Sequence, residues 1–215
     1  RVGVKFKGPD VWGAKASGNI EADFFGNTEL NKTSAGSGSI GLLRLRHATA
    51  TLAWPKTAVT FGQTWYPTFV PDVFPGVANF NTGIMFNPSG WAGQIKVAQK
   101  LSPDLTLSVV AYKDREFQTA NATGASTNSA TFNSSMPTFH GQLQYKKKNI
   151  TAGIGAEYQS LKPVIESGGL ASDETVNSGM YFGYFKYANE KIITKFYGIS
   201  GGNLHHLVML GGFAG

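Results

Sequence analysis

The sequence predicts an all-β protein: one antiparallel sheet of long strands that closes as a transmembrane β-barrel. Three observations predict it. Polar and apolar residues alternate with a period of two along most of the chain, the period of a strand whose side chains point to opposite faces. Charged residues make up only 15% of the sequence, against about 25% in an ordinary soluble domain, and polarity is supplied instead by Ser, Thr, Asn and Gln. Glycine accounts for 27 of 215 residues, where about 7% is usual. It follows no collagen-like period, and several glycines fall inside strand patterns, as curved barrel walls tolerate.

Val2, Val4 and Phe6 alternate with Gly3, Lys5 and Lys7, and Ile20, Ala22 and Phe24 oppose Asn19, Glu21 and Asp23. Between Ser39 and Trp54, Leu43 and Leu45 oppose Arg44 and Arg46 before Thr and Ala alternate. Unbroken alternation puts His47 on the apolar side with the leucines. Pro55 and Lys56 end that strand, and Val59, Phe61 and Trp65 then alternate with Thr60, Gly62 and Thr64. Segment 91–101 sets Trp91, Gly93, Ile95, Val97 and Leu101 against Gln94, Lys96 and Lys100. Segment 105–111 repeats the pattern with Leu105, Leu107, Val109 and Ala111 after a Ser-Pro-Asp turn signal, which makes a hairpin. Phe139, Leu143 and Tyr145 oppose His140, Gln142, Gln144 and Lys146, and Lys148 and Asn149 turn the chain into Ile150, Ala152, Ile154, Ala156 and Tyr158. Strands joined by so short a link are antiparallel neighbours. A further hairpin is expected from 180–187 and 190–197, and Leu207–Phe213 begins a last strand. The total is about ten or eleven strands with no helix.

Connections 26–38, 66–82, 114–135 and 161–178 are longer than a hairpin needs. Tight turns alternating with long loops are the asymmetry of a barrel whose rims face different compartments. Strand segments of about 8–15 residues suit a tilted membrane strand of about 9–11. Trp54, Trp65, Tyr66, Trp91, Tyr112, Tyr145, Tyr158 and Tyr187 stand near strand ends, where interfacial girdles lie. A soluble β-sandwich also alternates, but it buries its apolar face and turns a charged face to water. That alternative is a carbohydrate-binding module displaying Trp12, Trp65 and Trp91.

Other function classes fall away on composition. Without cysteine there is no disulfide scaffold, thiol nucleophile or cysteine-held metal. His205 and His206 are adjacent and point to opposite faces of a strand, so no metal or other cofactor is expected. No GxSxG elbow, HExxH or phosphate loop occurs, and no enzyme activity is expected. The net charge of +6 is spread over many strands, which speaks against nucleic acid. The sequence opens at Arg1 without the basic, apolar and small-residue order of a leader, as a processed or partial exported chain would.

Residues 18–26 (GNIEADFFG), 42–54 (LLRLRHATATLAW) and 58–69 (AVTFGQTWYPTF) resemble the amino-terminal region of Gram-negative outer-membrane porins. The resemblance is to the DcaP-like trimeric porins and related porins of the Bacteroidetes. In that pattern an acidic strand leads into an Arg-x-Arg-His strand, a Gly-Gln-Thr-Trp strand and a loop able to fold inward. The resemblance implies a homotrimer in the cell outer membrane of a Gram-negative bacterium, in contact with lipid and lipopolysaccharide. It also implies a barrel of about 16 strands, of which residues 1–215 form part as a single domain. The chain departs from the pattern in stopping at Gly-Gly-Phe-Ala-Gly rather than on a strand with a terminal aromatic residue.

On that reading the protein passes small polar, anionic solutes by passive diffusion through a water-filled channel, with selectivity set by pore width and lining charge. Arg44 and Arg46 lie two residues apart on a polar face and point into one lumen; Lys96 and Lys100 repeat the arrangement, and His140 and Lys146 add to it. The resemblance implies that Glu21 and Asp23 face the arginines to give a transverse field. Cross-strand ion pairs that merely satisfy lumen charges are the plainer use of the same residues. Loop 67–80 carries Phe69, Asp72, Phe74 and Phe80 among Pro67, Pro71 and Pro75. Its apolar side chains need burial, either as a constriction loop or at a subunit interface.

Overall fold

The computed structural model describes residues 1–26, 42–76, 90–114, 119–120, 126–127, 129–202, 204 and 207. Its main feature is a 10-stranded sheet in strict chain order. The strands are β1 (Val2–Lys7), β2 (Lys15–Gly26), β3 (Leu42–Ala53), β4 (Thr57–Trp65), β5 (Trp91–Lys100), β6 (Leu105–Asp114), β7 (Thr138–Lys147), β8 (Ile150–Leu161), β9 (Val176–Ala188) and β10 (Ile193–Gly201). Each neighbouring pair is antiparallel. The β9–β10 hairpin turns later than the alternation suggested, because Asn189 Oδ1 accepts the backbone N–H groups of Lys191 and Ile192 and holds residues 189–192 as the turn. A one-turn helix, Ser129–Asn133, and two-residue ladders at 119–120/126–127 and 166–167/170–171 lie in the long connections, where no period marked them. Residues 27–38 of the first expected loop, Phe80, His205 and His206, and all but Leu207 of the expected last strand lie outside the described residues.

A meander of antiparallel neighbours sends successive links to opposite rims. At one rim every link is short: 8–14, 54–56, 101–104, 148–149 and 189–192. At the other, the links are 27–41, 66–90, 115–137 and 162–175. The first short link is tight because Trp12 and Gly13 both take positive φ, 50° and 76°, as a type I′ turn requires, between the paired Val11 and Ala14. Trp54 Nε1 donates to Trp12 O at 3.1 Å, so these two tryptophans meet at the short-link rim.

Burial runs opposite to that of a soluble sheet. Asp23, Arg46, His47, Gln94, His140, Glu157 and Gln159 are buried, whereas Val4, Phe24, Leu45, Ile95, Val109, Ile154, Tyr181 and Phe196 are exposed. Register keeps the two sets apart. Lys96, Val110, His140, Glu157 and Met180 form one cross-strand row, and Ile95, Ala111, Phe139, Tyr158 and Gly179 form the next, on the other face. A one-residue slip would exchange them. The polar face is buried because other parts of the chain cover it: Tyr66 of the connection after β4 shares one cluster with Ala92 of β5, Tyr112 of β6 and Met180 of β9, which β7 and β8 separate from β6. Each exposed Ile or Phe forgoes about 1.5–3 kcal/mol of burial, so such a face calls for another apolar surrounding. This is the reverse of the sandwich alternative, and the other sheets among the described residues are only 2-stranded.

One irregularity matters for the site. The register between β2 and β3 shifts at Glu21/Ala22, leaving Arg46 without a partner in the ladder. This is a β-bulge, which re-aims side chains. Arg44, Arg46 and His47 all turn to the polar face, which corrects the expected place of His47 beside Leu45. His47 is buried, with Nδ1 2.9 Å from Thr64 Oγ1. Gly62 faces the bulged strand at φ 122°, and a Cβ there would strike the carbonyl oxygen of Ala48.

A second pair of glycines sets the inner packing. A Cβ on Gly153 or Gly155 of β8 would collide with the rings of Tyr184 and Phe182 respectively, which lie against the bare backbone. Gly155→Ala should therefore cost about 1–3 kcal/mol of unfolding free energy through overpacking. Gly198→Ala, with open space at its Cβ position, should stay within about 0.5 kcal/mol. Denaturant unfolding of both variants in detergent micelles measures the difference.

Candidate functional site on the polar face

The connection that leaves β4 lies along the polar face. Tyr66 is buried, with its hydroxyl donating to Asp114. Pro71 restricts φ at the start of a single 3-10 turn, Pro71–Val73. Val70 and Val73 pack on Phe182 and Tyr184 of β9, and the Phe69 ring meets Trp65 at 4.7 Å and Phe74 at 5.5 Å. Polar ties add to this packing. Tyr197 Oη donates to Thr68 O at 2.9 Å, Lys195 Nζ donates to Phe74 O, and Lys146 Nζ lies 2.6 Å from Asp72 Oδ2. Lys146 and Lys195 stand near the short-link ends of β7 and β10, so a segment that starts at the long-link rim reaches the opposite ends of those strands. The described part of the loop thus buries its apolar side chains on its own sheet.

Under the loop is an aromatic shelf. Phe182, Tyr184 and Tyr197 stack with centroid separations of 5.9, 6.2 and 6.4 Å. Tyr184 Oη accepts from Gln142 Nε2 at 2.6 Å and from Gln144 Nε2 at 2.9 Å. Next to it, His140 Nδ1 is 2.8 Å from Glu157 Oε1, and Tyr112 Oη donates to Glu157 Oε2 at 3.0 Å. Burying these polar groups is affordable only because each finds a partner. Tyr66 and Tyr112 belong to this buried layer and not to an outward-facing girdle.

The arginines are heavily engaged. Arg44 grips Asp23 with two hydrogen bonds, Nε to Oδ1 at 3.1 Å and Nη2 to Oδ2 at 3.0 Å. Arg46 reaches Glu21 Oε1 at 2.7 Å and Asp23 Oδ2 at 3.1 Å. Both guanidinium groups also lie over Trp91, at 4.6 and 5.0 Å, and Arg46 is 5.9 Å from Trp65. Such contacts favour a planar cation. The predicted partners are therefore together, as direct cross-strand ion pairs in which two carboxylates offset two cations. Trp65 and Trp91 are half-buried in this cluster.

The lysines are placed differently. Lys96 is half-buried on the polar face in the row of His140, and Lys100 is exposed near the short-link rim. Lys146, Thr151, Lys186 and Lys195 form one row across β7, β8, β9 and β10. Sequence reasoning missed Lys186 and Lys195, because the segment MYFGYFKY is aromatic on both faces and no alternation assigns its lysine a side. Register does. Among the described residues no group of three or more His, Asp or Glu could hold a metal ion.

The sequence matches no family model and no curated protein. The fold is similar to that of the outer membrane channel DcaP of Acinetobacter baumannii, with a TM-score of 0.68 and 22% identity over 93% of this chain and 50% of that one. This chain thus spans about half the length of that protein, and the likeness is one of fold. OmpT, an outer membrane protein of Vibrio cholerae, aligns in its trimer form over 93% of this chain and 69% of its own at a TM-score of 0.40 and 11% identity, too slight a likeness to carry an argument.

Docking of the loop should depend on pH through Asp72. The hydrogen bond from Lys146 is the main cause holding its carboxyl below the usual range; burial opposes this, and the charges of Lys146, Lys186 and Lys195 add to it. A carboxylate with a lowered pKa in the docked state stabilises docking fully above its undocked value, about 3.9. That contribution is lost as pH falls through the docked value. Protection of the 66–76 backbone from hydrogen exchange, relative to the intrinsic rate at each pH, should therefore fall as the medium is acidified below about pH 4. Asp72→Asn should remove this dependence.

Proposed function

We propose that the chain forms part of an outer-membrane β-barrel, a single domain through whose water-filled interior small polar solutes, anions in preference, diffuse passively. The observation that carries this is the inverted burial: polar and charged side chains buried on one face, Ile, Val, Phe and Tyr exposed on the other. Lipid is the surrounding that such an apolar face matches, and a closed wall leaves no unpaired strand edge in it. The rim asymmetry and the fold shared with an outer membrane channel support the reading. Residues 67–76 act as the constriction on this reading, since they lie across the polar face and not on the apolar one. Subunit association as a homotrimer and contact with lipopolysaccharide belong to the same proposal.

Anion preference then rests on lysines more than on the arginine pair. Arg44 and Arg46 are offset by Asp23 and Glu21, whereas Lys96, Lys146, Lys186 and Lys195 face few carboxylates. The full-length protein inserted in a planar bilayer should give stepwise conductance, with a reversal potential in a salt gradient on the anion side. The R44A/R46A double substitution, which leaves Glu21 and Asp23 without their cations, should move the reversal potential toward the cation side. Absence of any conductance from the folded protein would contradict the proposal.

A further inference from the structure

The links of the short-link rim carry cations that the protein leaves without carboxylates. Of the acidic residues in those links, Asp10 is held by Lys15 at 2.6 Å and Asp104 by Lys147 at 3.2 Å, which leaves Glu190. Lys56, Lys148 and Lys191, each inside a link, are exposed and form no salt bridge among the described residues. Backbone pairing brings two of these links side by side: Ala188 N–H donates to Asn149 O at 2.9 Å, and Ile150 lies opposite Tyr187. Lys148 and Lys191 thus flank a patch that also exposes Ile150, Ile192 and Ile193. Register separates this patch from the lysines of the polar face. Lys147, Ile150 and Tyr187 form the outermost row of the apolar face, whereas Lys146, Thr151 and Lys186 form the neighbouring row on the other side. The tryptophans of the rim mark the same boundary. Trp12 is 85% exposed at φ 50°, a left-handed position that costs a bulky side chain more than it would cost Asn or Gly. Its carbonyl accepts the Trp54 Nε1–H, so the turn that displays Trp12 is also tied to Trp54. An indole kept in the open and lysines without counter-ions suit a membrane boundary, where the ring settles among the headgroups and the ammonium reaches the phosphates.

We propose that the outer edge of the short-link rim binds the headgroups of an anionic glycerophospholipid, phosphatidylglycerol. Lys148 and Lys191 hold one phosphodiester between their links, Lys56 holds another, and Trp12, Trp54 and Tyr187 sit at the depth of the glycerol groups. This inference rests on the membrane reading and adds to it a choice of lipid. The surface lies where the apolar face ends, so its ligand brings acyl chains to that face as well as negative charge to the lysines. In barrels the short turns face the periplasm and the long loops the exterior. The short-link rim therefore meets the leaflet of glycerophospholipids, and not the one of lipopolysaccharide. A lysine beside an anionic bilayer surface favours it by roughly fivefold at most, so the lipids are preferred neighbours that exchange and not permanent cofactors.

Lipid selectivity of the full-length protein in phosphatidylcholine vesicles tests this. Phosphatidylglycerol or phosphatidylcholine, spin-labelled near the end of one acyl chain, is added in trace, and electron spin resonance reads the fraction whose motion the protein restricts. The wild type should hold phosphatidylglycerol at least about twofold more strongly than phosphatidylcholine. Lys56→Gln, Lys148→Gln and Lys191→Gln together should bring the two lipids to parity. Lys5→Gln, Lys7→Gln and Lys100→Gln remove the same charge from the polar face and should leave the preference intact. An equal loss in both triple variants overturns the surface, because the preference then belongs to net charge. Restricted motion of both lipids without preference in the wild type sinks the surface alone and leaves the membrane reading standing. Restricted motion of neither lipid sinks both.

Discussion

Everything else in this molecule depends on register. With a period of two, the pairing of ten strands decides which set of side chains is buried and which is exposed, and here the buried set is the polar one. Consistent pairing puts His140 beside Glu157, Tyr184 beside Tyr197 and Lys186 beside Lys195, and leaves Ile154, Phe185 and Phe196 on the other side. A sheet built this way gains little from an apolar core. Its interior is held by hydrogen bonds and ion pairs whose members would be costly to leave alone. The bulge at Arg46 and the glycines at 62, 153 and 155 are adjustments to this polar interior: one brings an extra polar residue, His47, inward, the others let backbone and rings close up.

The loop after β4 turns the interior into a site. Its proline-restricted segment 67–75 presents only a few apolar side chains, and the aromatic shelf on β9 and β10 is the surface that accepts them. Polar ties then fix its height along the strands, with Asp72 at the lysine row and Thr68 at Tyr197. Two charge clusters result, of different character. Around Arg46 the cations and carboxylates are matched and packed over tryptophan, which makes a rigid, locally balanced wall. At Lys186 and Lys195 the cations are in excess, and the nearby carboxylate, Asp72, comes from the loop.

Much of the fold was legible because alternation is a local signal. Segments 91–101, 105–111, 138–147 and 150–158 declared their faces without reference to any neighbour, and the Lys148–Asn149 turn fixed one hairpin outright. What failed was set by pairing. His47 was assigned to the apolar side because a one-residue bulge leaves no trace in composition. Tyr66 and Tyr112 were placed in a girdle because position near a strand end does not say which face a ring takes, whereas their hydrogen bonds to Asp114 and Glu157 do. In the aromatic run 180–187 both faces look alike, so the shelf and Lys186 were invisible until β10 was laid beside β9. The cross-strand arginine pairs were half legible: the residues were right, and only coordinates could distinguish direct ion pairs from charges facing each other across a gap.

The claim on which the rest stands is that the apolar face meets lipid and the polar face meets water. Residues 1–215 contain no cysteine, so the claim is directly measurable by single-cysteine spin labels placed in turn at 151–158 of β8, with the protein reconstituted in lipid vesicles. Collision with oxygen, which concentrates in the bilayer, should peak at 152, 154, 156 and 158. Collision with a water-soluble nickel chelate should be favoured at the odd positions, within the limits set by the loop. Alternation in the opposite phase, or water accessibility at Ile154 equal to that at its neighbours, would contradict the account.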